Sequence, residues 1–185
     1  MHPTKPSPRV RITASAATAF ILMPIVSACS DPIREYATPD ALCGVKVSPR
    51  ALEPLMPPGA EVSSREKEGS GARRCDVMVD GKTVLATAVE WYEGGSSLEY
   101  VAARTVGVEP GDKKTTDKRY LFSDTGAIGL VQCADPDKID RDVDGDLFSS
   151  ARISGQSATE SEFKAFIVNY TEALSDSEAC NGDIW

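Results

Sequence analysis

The clearest alternation of apolar and polar positions runs through residues 75–79 and 83–91, two strand-like stretches separated by Asp80-Gly81. Alternation at period two buries one face of a strand, and Asp-Gly supplies positive φ at both centres of a type I′ turn, so the chain is expected to reverse there. Leu85, Val89 and Trp91 fall on the face expected to feed the core. Further on a helical period takes over. Phe163, Phe166, Ile167, Tyr170 and Leu174 share one face, and Thr159 with Glu162 three residues later reads as a capping box opening that helix. We read this face as a core-packing stripe rather than a groove for a partner helix.

Weaker signals fill in the rest. Ser48-Pro49 reads as N-cap and first position of a short helix over residues 50–56, stopped by Pro57-Pro58-Gly59, and an extended segment over 60–66 follows. Gly94-Gly95 ends the long strand, and Ser96-Ser97-Leu98-Glu99 resembles a second capping box, with Leu98, Val101 and Ala102 on one face. Strand-like runs at 120–123 and 127–133 are joined through Asp124-Thr125-Gly126, and Val143-Asp144-Gly145 leads into a further run over 147–154. The order Val79-Asp80-Gly81, strand, helix thus recurs as Val143-Asp144-Gly145, strand, helix, which points to two similar halves, each with its own pair of cysteines. The fold class expected is α+β, an antiparallel sheet covered on one face by two longer helices.

Residues 1–28 have the tripartite build of an export signal: Lys5, Arg9 and Arg11 at the start, the apolar run Phe20-Ile21-Leu22-Met23, and small residues before Cys29. Val26-Ser27-Ala28-Cys29 resembles the lipobox of bacterial lipoproteins, which implies that the Cys29 thiol receives a diacylglyceryl group and that cleavage falls just before it. A spanning anchor fits less well, because the apolar core is short, is diluted by Thr13, Ser15 and Thr18, and carries Pro24. Val10 separates Arg9 from Arg11, which favours the general secretory route over the twin-arginine one. Burial of each acyl CH₂ is worth roughly 0.8 kcal/mol, so two chains hold where one holds only marginally. The organisation expected is a signal peptide at 1–28, a lipidated cysteine and tether at 29–42, and one extracytoplasmic domain at 43–185 on the outer face of the cytoplasmic membrane.

Loss of the leader takes 28 residues from 185 and leaves 157, enough for one domain with a core. The leader holds three cations and no carboxylate, so the formal net charge moves from −8 to −11. Such a surface repels phosphates, which makes nucleic acid a poor partner; the partners expected are the membrane, through Cys29, and an envelope protein or small ligand. The basic cluster Lys113, Lys114, Lys118 and Arg119 flanks a Gly/Asp-rich loop and reads as solvated rather than as an anion site.

With Cys29 committed to lipid, Cys43, Cys75, Cys133 and Cys180 remain, an even set that reads as two disulfides in an exported domain. Three connectivities are open; Cys43–Cys75 with Cys133–Cys180 is favoured because each pair brackets one half of the chain. No CxxC spacing supports a metal site, and His2, the sole histidine, leaves with the leader. A chain without histidine has no Ser-His-Asp or Cys-His machinery and no imidazole base or ligand. What remains is carboxylate chemistry, such as the Asp/Glu pair of a glycosidase-like hydrolase, or a Ser/Lys arrangement without its usual motif, and no GxSxG, P-loop or dinucleotide fingerprint is present. No catalytic residue and no cofactor are expected.

Asp140-Arg141-Asp142-Val143-Asp144-Gly145 spells DxDxDG, the opening of a calcium loop in which alternating carboxylates converge on a hard cation. Leu147 fits the apolar position that follows. The twelfth position is Ala151 where a bidentate glutamate belongs, so the weak candidate ligands Asp140, Asp142 and Asp144 would need help from Asp135, Asp137 or Asp146. A solvated acidic loop entering a hairpin at Asp144-Gly145 is the plainer account. Asn169-Tyr170-Thr171 matches a glycosylation sequon but falls within the long helix and is read as chance.

Cys43-Gly44, a helix, Pro57-Pro58-Gly59, a strand bearing Cys75, Asp80-Gly81 and a terminal amphipathic helix ending near Cys180 together resemble small uncharacterised lipoproteins of actinobacteria, of the Streptomyces type. The resemblance implies an α+β domain with helices over an antiparallel sheet, similar to the Mog1/PsbP-like fold, and carries no catalytic residues across. The function expected is that of a non-enzymatic accessory or binding lipoprotein of the cell envelope.

Overall fold

Chain order explains most of the architecture. A small hairpin, β1 (Ala41–Leu42) and β2 (Val45–Lys46), reverses through Cys43 and Gly44, both at positive φ. The helix α1 (Pro49–Leu52) has Pro49 at its first position, where a missing N–H is no loss. It is shorter than the expected 50–56 because Pro54 has no N–H to return and its ring crowds the preceding turn. The chain tightens instead into a 3₁₀ turn, Glu53–Leu55. In the computed structural model, which describes residues 33–69, 71–134 and 145–181, the packed domain begins before Cys43. The Arg34 guanidinium donates to the Glu53 carbonyl at 3.0 Å and to that of Met56, Tyr36 donates to the Pro57 carbonyl, and Leu42 is fully buried. The described part of the expected tether therefore lies against the domain.

Strands β3 (Val62–Gly69), β4 (Ala72–Val79) and β5 (Lys82–Glu93) form a meander, and β4 turns into β5 through Asp80 at φ 50° and Gly81 at φ 75°, as the Asp-Gly pair requires. Then comes α2 (Leu98–Ala102). Its N-cap is Ser97, whose Oγ accepts from the Tyr100 N–H, so the capping box expected from Ser96 to Glu99 is not the one formed. Ser96 bonds back to the Glu93 carbonyl, and Glu99 is left to pair with Lys114. A second meander, β7 (Tyr120–Phe122), β8 (Gly126–Leu130) and β9 (Gly145–Ile153), follows the two-residue edge strand β6 (Lys113–Lys114), and ends in α3 (Glu160–Leu174) and a 3₁₀ turn, Glu178–Asn181. Both halves of the expected capping box close α3: Thr159 accepts from the Glu162 N–H, and Glu162 accepts from the Thr159 N–H at 2.7 Å.

The seven strands β3 to β9 join one antiparallel sheet in the order β3-β4-β5-β9-β8-β7-β6, so the α+β class stands. The two expected halves are present as strands: β3-β4-β5 and β7-β8-β9 are equivalent meanders meeting at the β5–β9 pair. The helices depart from expectation. Successive strand residues point to opposite faces, and Tyr120 and Phe122 pack in the cluster holding Phe163, Phe166 and Ile167, whereas Leu121, Ile128 and Phe148 pack with Leu98, Val101 and Ala102. α3 and α2 lie on opposite faces. Gly145 also differs from its assigned role. It is not half of a hairpin turn but the first residue of β9, paired with Glu93, where a Cβ would come within 2.4 Å of the Tyr92 carbonyl oxygen.

Disulfides Cys43–Cys75 and Cys133–Cys180 form, the favoured connectivity of the three. The first ties the β1–β2 turn to β4; the second ties the segment after β8 to the turn after α3.

The α3 face carries the large core, in which the fully buried Phe163, Phe166, Ile167 and Leu174 meet Leu85, Val77 and Leu147. Thr87, Ser149 and Thr171 are buried polar residues there, and each is bonded: Thr87 to the Tyr170 hydroxyl at 3.1 Å, Thr171 to the Ile167 carbonyl at 2.6 Å, and Ser149 to Thr171 at 2.7 Å. With the Thr171 proton committed to Ile167, Ser149 is the donor of the last bond. α3 reaches this depth because residue 129 is glycine; a Cβ there would lie 2.1 Å from Thr171 Oγ1. Gly129→Ala is therefore expected to cost about 1–3 kcal/mol in urea unfolding, as overpacking does. Adding Thr171→Ala should recover part of that loss, because the nearest remaining atoms stand at 3.1 Å.

Candidate functional site

The face opposite α3 is only partly covered. α2 and the turn after it lie over β8 and the start of β9, and beside them no described residue covers the sheet, leaving a cleft of about 230 Å³ over β4, β5 and β9. Its floor is built from short side chains, Ala86, Ala88 and Ser150, which alternate with the buried Leu85, Thr87, Val89, Ser149 and Ala151 of the core face. Ordinary drug-sized sites run from about 300 to 1,000 Å³, so this one suits a small molecule or a single functional group.

Polar groups rim the floor. Asp76 on β4 accepts from Lys67 Nζ at 2.6 Å and has Arg65 Nη2 at 3.7 Å, both reaching over from β3, and its side chain is only 15% exposed. The Lys67 hydrogen bond holds the Asp76 carboxyl below the usual carboxylate range, against the opposing effect of burial. Glu90 on β5 accepts from the Tyr92 hydroxyl at 3.3 Å, and burial, with Glu90 beside it, pushes the Tyr92 phenol up. Arg74, Arg104 and Arg152 complete the rim from β4, the turn after α2, and β9. Arg104 lies 3.5 Å over the Tyr100 ring centroid and donates to the Tyr100 carbonyl at 3.0 Å, so its position is fixed by stacking.

Several sequence candidates are not among the residues that line this cleft. Cys29 and the proposed calcium ligands Asp140, Asp142 and Asp144, with Asp135 and Asp137, fall outside the described residues. Asp146, considered as an auxiliary ligand, instead accepts from the Gly95 N–H at 2.7 Å. Among the described residues no group of three or more His, Cys, Asp or Glu side chains stands together as a metal cage, and no helix is long and apolar enough to cross a membrane. In the basic cluster, Lys113 and Lys114 are paired to Glu160 and Glu99, and Arg119 lies over the Tyr120 ring. The Lys114 hydrogen bond holds Glu99 down at about 2. Asn169 of the sequon accepts from the Ser48 N–H at 2.7 Å, and Tyr170 and Thr171 are core residues.

Sequence reasoning missed the three cleft arginines, which sit on three different elements and share no local motif. A usable signal was the interruption of the β5 pattern by Ala86 and Ala88 between larger residues, since short side chains on one face leave room above them.

No protein-family model matches the chain, and no match emerges among curated proteins or solved structures.

Asp76 is the rim group whose protonation matters most for stability. Its folded pKa lies below its unfolded one, so its contribution is present above the unfolded value and is lost as pH falls through the folded one. Asp76→Asn is expected to cost about 1 kcal/mol in urea unfolding at pH 7, the upper end for partly exposed pairs. The gap between variant and parent should close as pH is lowered below about 4; a gap that stays constant into acid would show that Asp76 acts by packing alone.

Proposed function

We propose that this protein is a non-enzymatic binding lipoprotein of the cell envelope, held at the outer face of the cytoplasmic membrane through Cys29, and that the cleft over β4, β5 and β9 receives a small ligand. The observation that carries the reading is the part of the sheet that no described residue covers: a floor of Ala86, Ala88 and Ser150 ringed by polar groups, beside the part covered by α2. A domain that seals one face of its sheet with a large core and leaves a polar-rimmed recess on the other has a place for a ligand. Its chemistry supports binding over turnover. The mature chain has no histidine, and Asp76, Glu99, Asp117 and Glu162 are all held below the usual carboxylate range, opposite to what a general acid needs.

Anchoring is tested by Cys29→Ala, which is expected to move the protein out of the lipid-modified membrane fraction and to abolish the lipid mass increment; a variant that keeps the parent's mass and location contradicts the anchor. Binding is tested by thermal unfolding against panels of small anionic, cationic and neutral compounds. A ligand at a hundredfold excess over its dissociation constant adds about 2.7 kcal/mol, a shift of a few degrees in a domain of this size. Ala88→Trp fills the recess from its floor without entering the core, and should erase the shift. Stabilisation that survives Ala88→Trp would place the ligand elsewhere.

A further inference from the structure

We infer that the cleft takes a small-molecule oxyanion, a carboxylate or phosphate group, held by Arg74, Arg104 and Arg152; this rests on the binding reading above and names its ligand class. Arg74, Arg104 and Arg152 line one recess, and among the described residues none is within 4.0 Å of a carboxylate. The acids of the same recess are engaged: Asp76 by Lys67 and Arg65, Glu90 by the Tyr92 hydroxyl. Three arginines lining one recess repel one another, and none can relieve that by losing a proton in the accessible pH range. An anion relieves it directly.

The setting sharpens the inference. The chain has a formal net charge of −8, so a recess in which unpaired cations outnumber unpaired acids runs against its overall charge. Screening limits charge effects to about 8 Å at physiological salt, so the local arginines decide what enters and the distant acids do not. The net negative charge of the chain as a whole disfavours an extended polyanion such as nucleic acid and favours one compact anionic group. Guanidinium geometry suits the planar edge of a carboxylate or phosphate, which it meets with two parallel N–H···O bonds. Arg104 comes to this role pre-positioned, since its stacking on Tyr100 spends one donor on the Tyr100 carbonyl and fixes the plane of the rest.

The experiment is calorimetric titration of the full-length lipoprotein in a non-ionic detergent and phosphate-free buffer, with inorganic phosphate and with citrate as separate probes. Saturable binding of at least one probe is expected, unchanged between pH 7 and pH 9 for citrate and weakening as salt is raised. Phosphate-only binding assigns a phosphate ligand, and citrate-only binding a carboxylate one. Arg74→Gln and Arg152→Gln should each weaken it about tenfold, while Arg50→Gln, on an exposed position of α1, should leave it unchanged. Near-ultraviolet circular dichroism of each variant confirms that it is folded. The inference is overturned if neither probe binds, or if the folded triple variant Arg74→Gln/Arg104→Gln/Arg152→Gln binds as the parent does. A neutral or cationic compound whose binding is lost in Ala88→Trp but not in the triple variant would refute the anion while leaving the cleft as the binding site.

Discussion

The close approach of α3 to the sheet at Gly129 is the constraint on which the rest of the structure depends. Nothing larger than a hydrogen fits between that backbone and Thr171, so the helix sits deep enough for Phe163, Phe166, Ile167 and Leu174 to be fully buried. At that depth the polar groups of helix and sheet lose contact with water and must find each other, as Ser149 with Thr171 and Thr87 with Tyr170 do. These bonds fix where α3 lies along the strands, which an apolar stripe alone does not. Cys133–Cys180 and the bond from the Ala134 N–H to the Ser175 carbonyl then fasten the chain beyond each element to the same place.

A face consumed in this way is unavailable for function, and the chemistry falls to the other one. There the side chains change character along a single strand: β5 carries Leu85, Thr87 and Val89 inward and Ala86, Ala88 and Glu90 outward. The inward set supplies stability through area removed from water. Ala86 and Ala88 of the outward set are too small to fill the space above them, and the charged residues around them are held apart by the strands that bear them. Asp76 shows how the rim is kept in order, with two cations from β3 fixing one acid on β4.

How much of this could be read from the chain depends on range. Asp80-Gly81 was legible because a two-residue turn between paired strands has few solutions, and Thr159 with Glu162 because a capping box is complete within four residues. The stripe from Phe163 to Leu174 was legible because a long helix repeats its face several times. The helix α2 and its face of Leu98, Val101 and Ala102 were legible too, but the side of the sheet they meet was not, because five residues define a face and not its partner. Gly145 was misread because a glycine demanded by a close carbonyl looks, in sequence, the same as one demanded by a turn. The cleft lay furthest from view: Arg74, Arg104 and Arg152 meet only through the β4–β5–β9 pairing and the placement of α2, which are long-range facts.

That placement also explains why two similar meanders do not give a symmetric domain. Antiparallel neighbours such as β5 and β9 are related by a two-fold axis perpendicular to the sheet, and such an axis keeps each face on its own side. If the halves were equivalent throughout, α2 would share the face of α3 and the opposite face would be bare from edge to edge. Instead α2 crosses to the far side and covers Leu121, Ile128 and Phe148, apolar residues of the second meander that would otherwise meet water. It is too short to reach across β4 and β5 as well. The recess is the step between the part of the sheet that α2 covers and the part that it cannot, and Arg104 stands at that step because it follows the end of α2. The break in the symmetry of the two halves is therefore what creates the site.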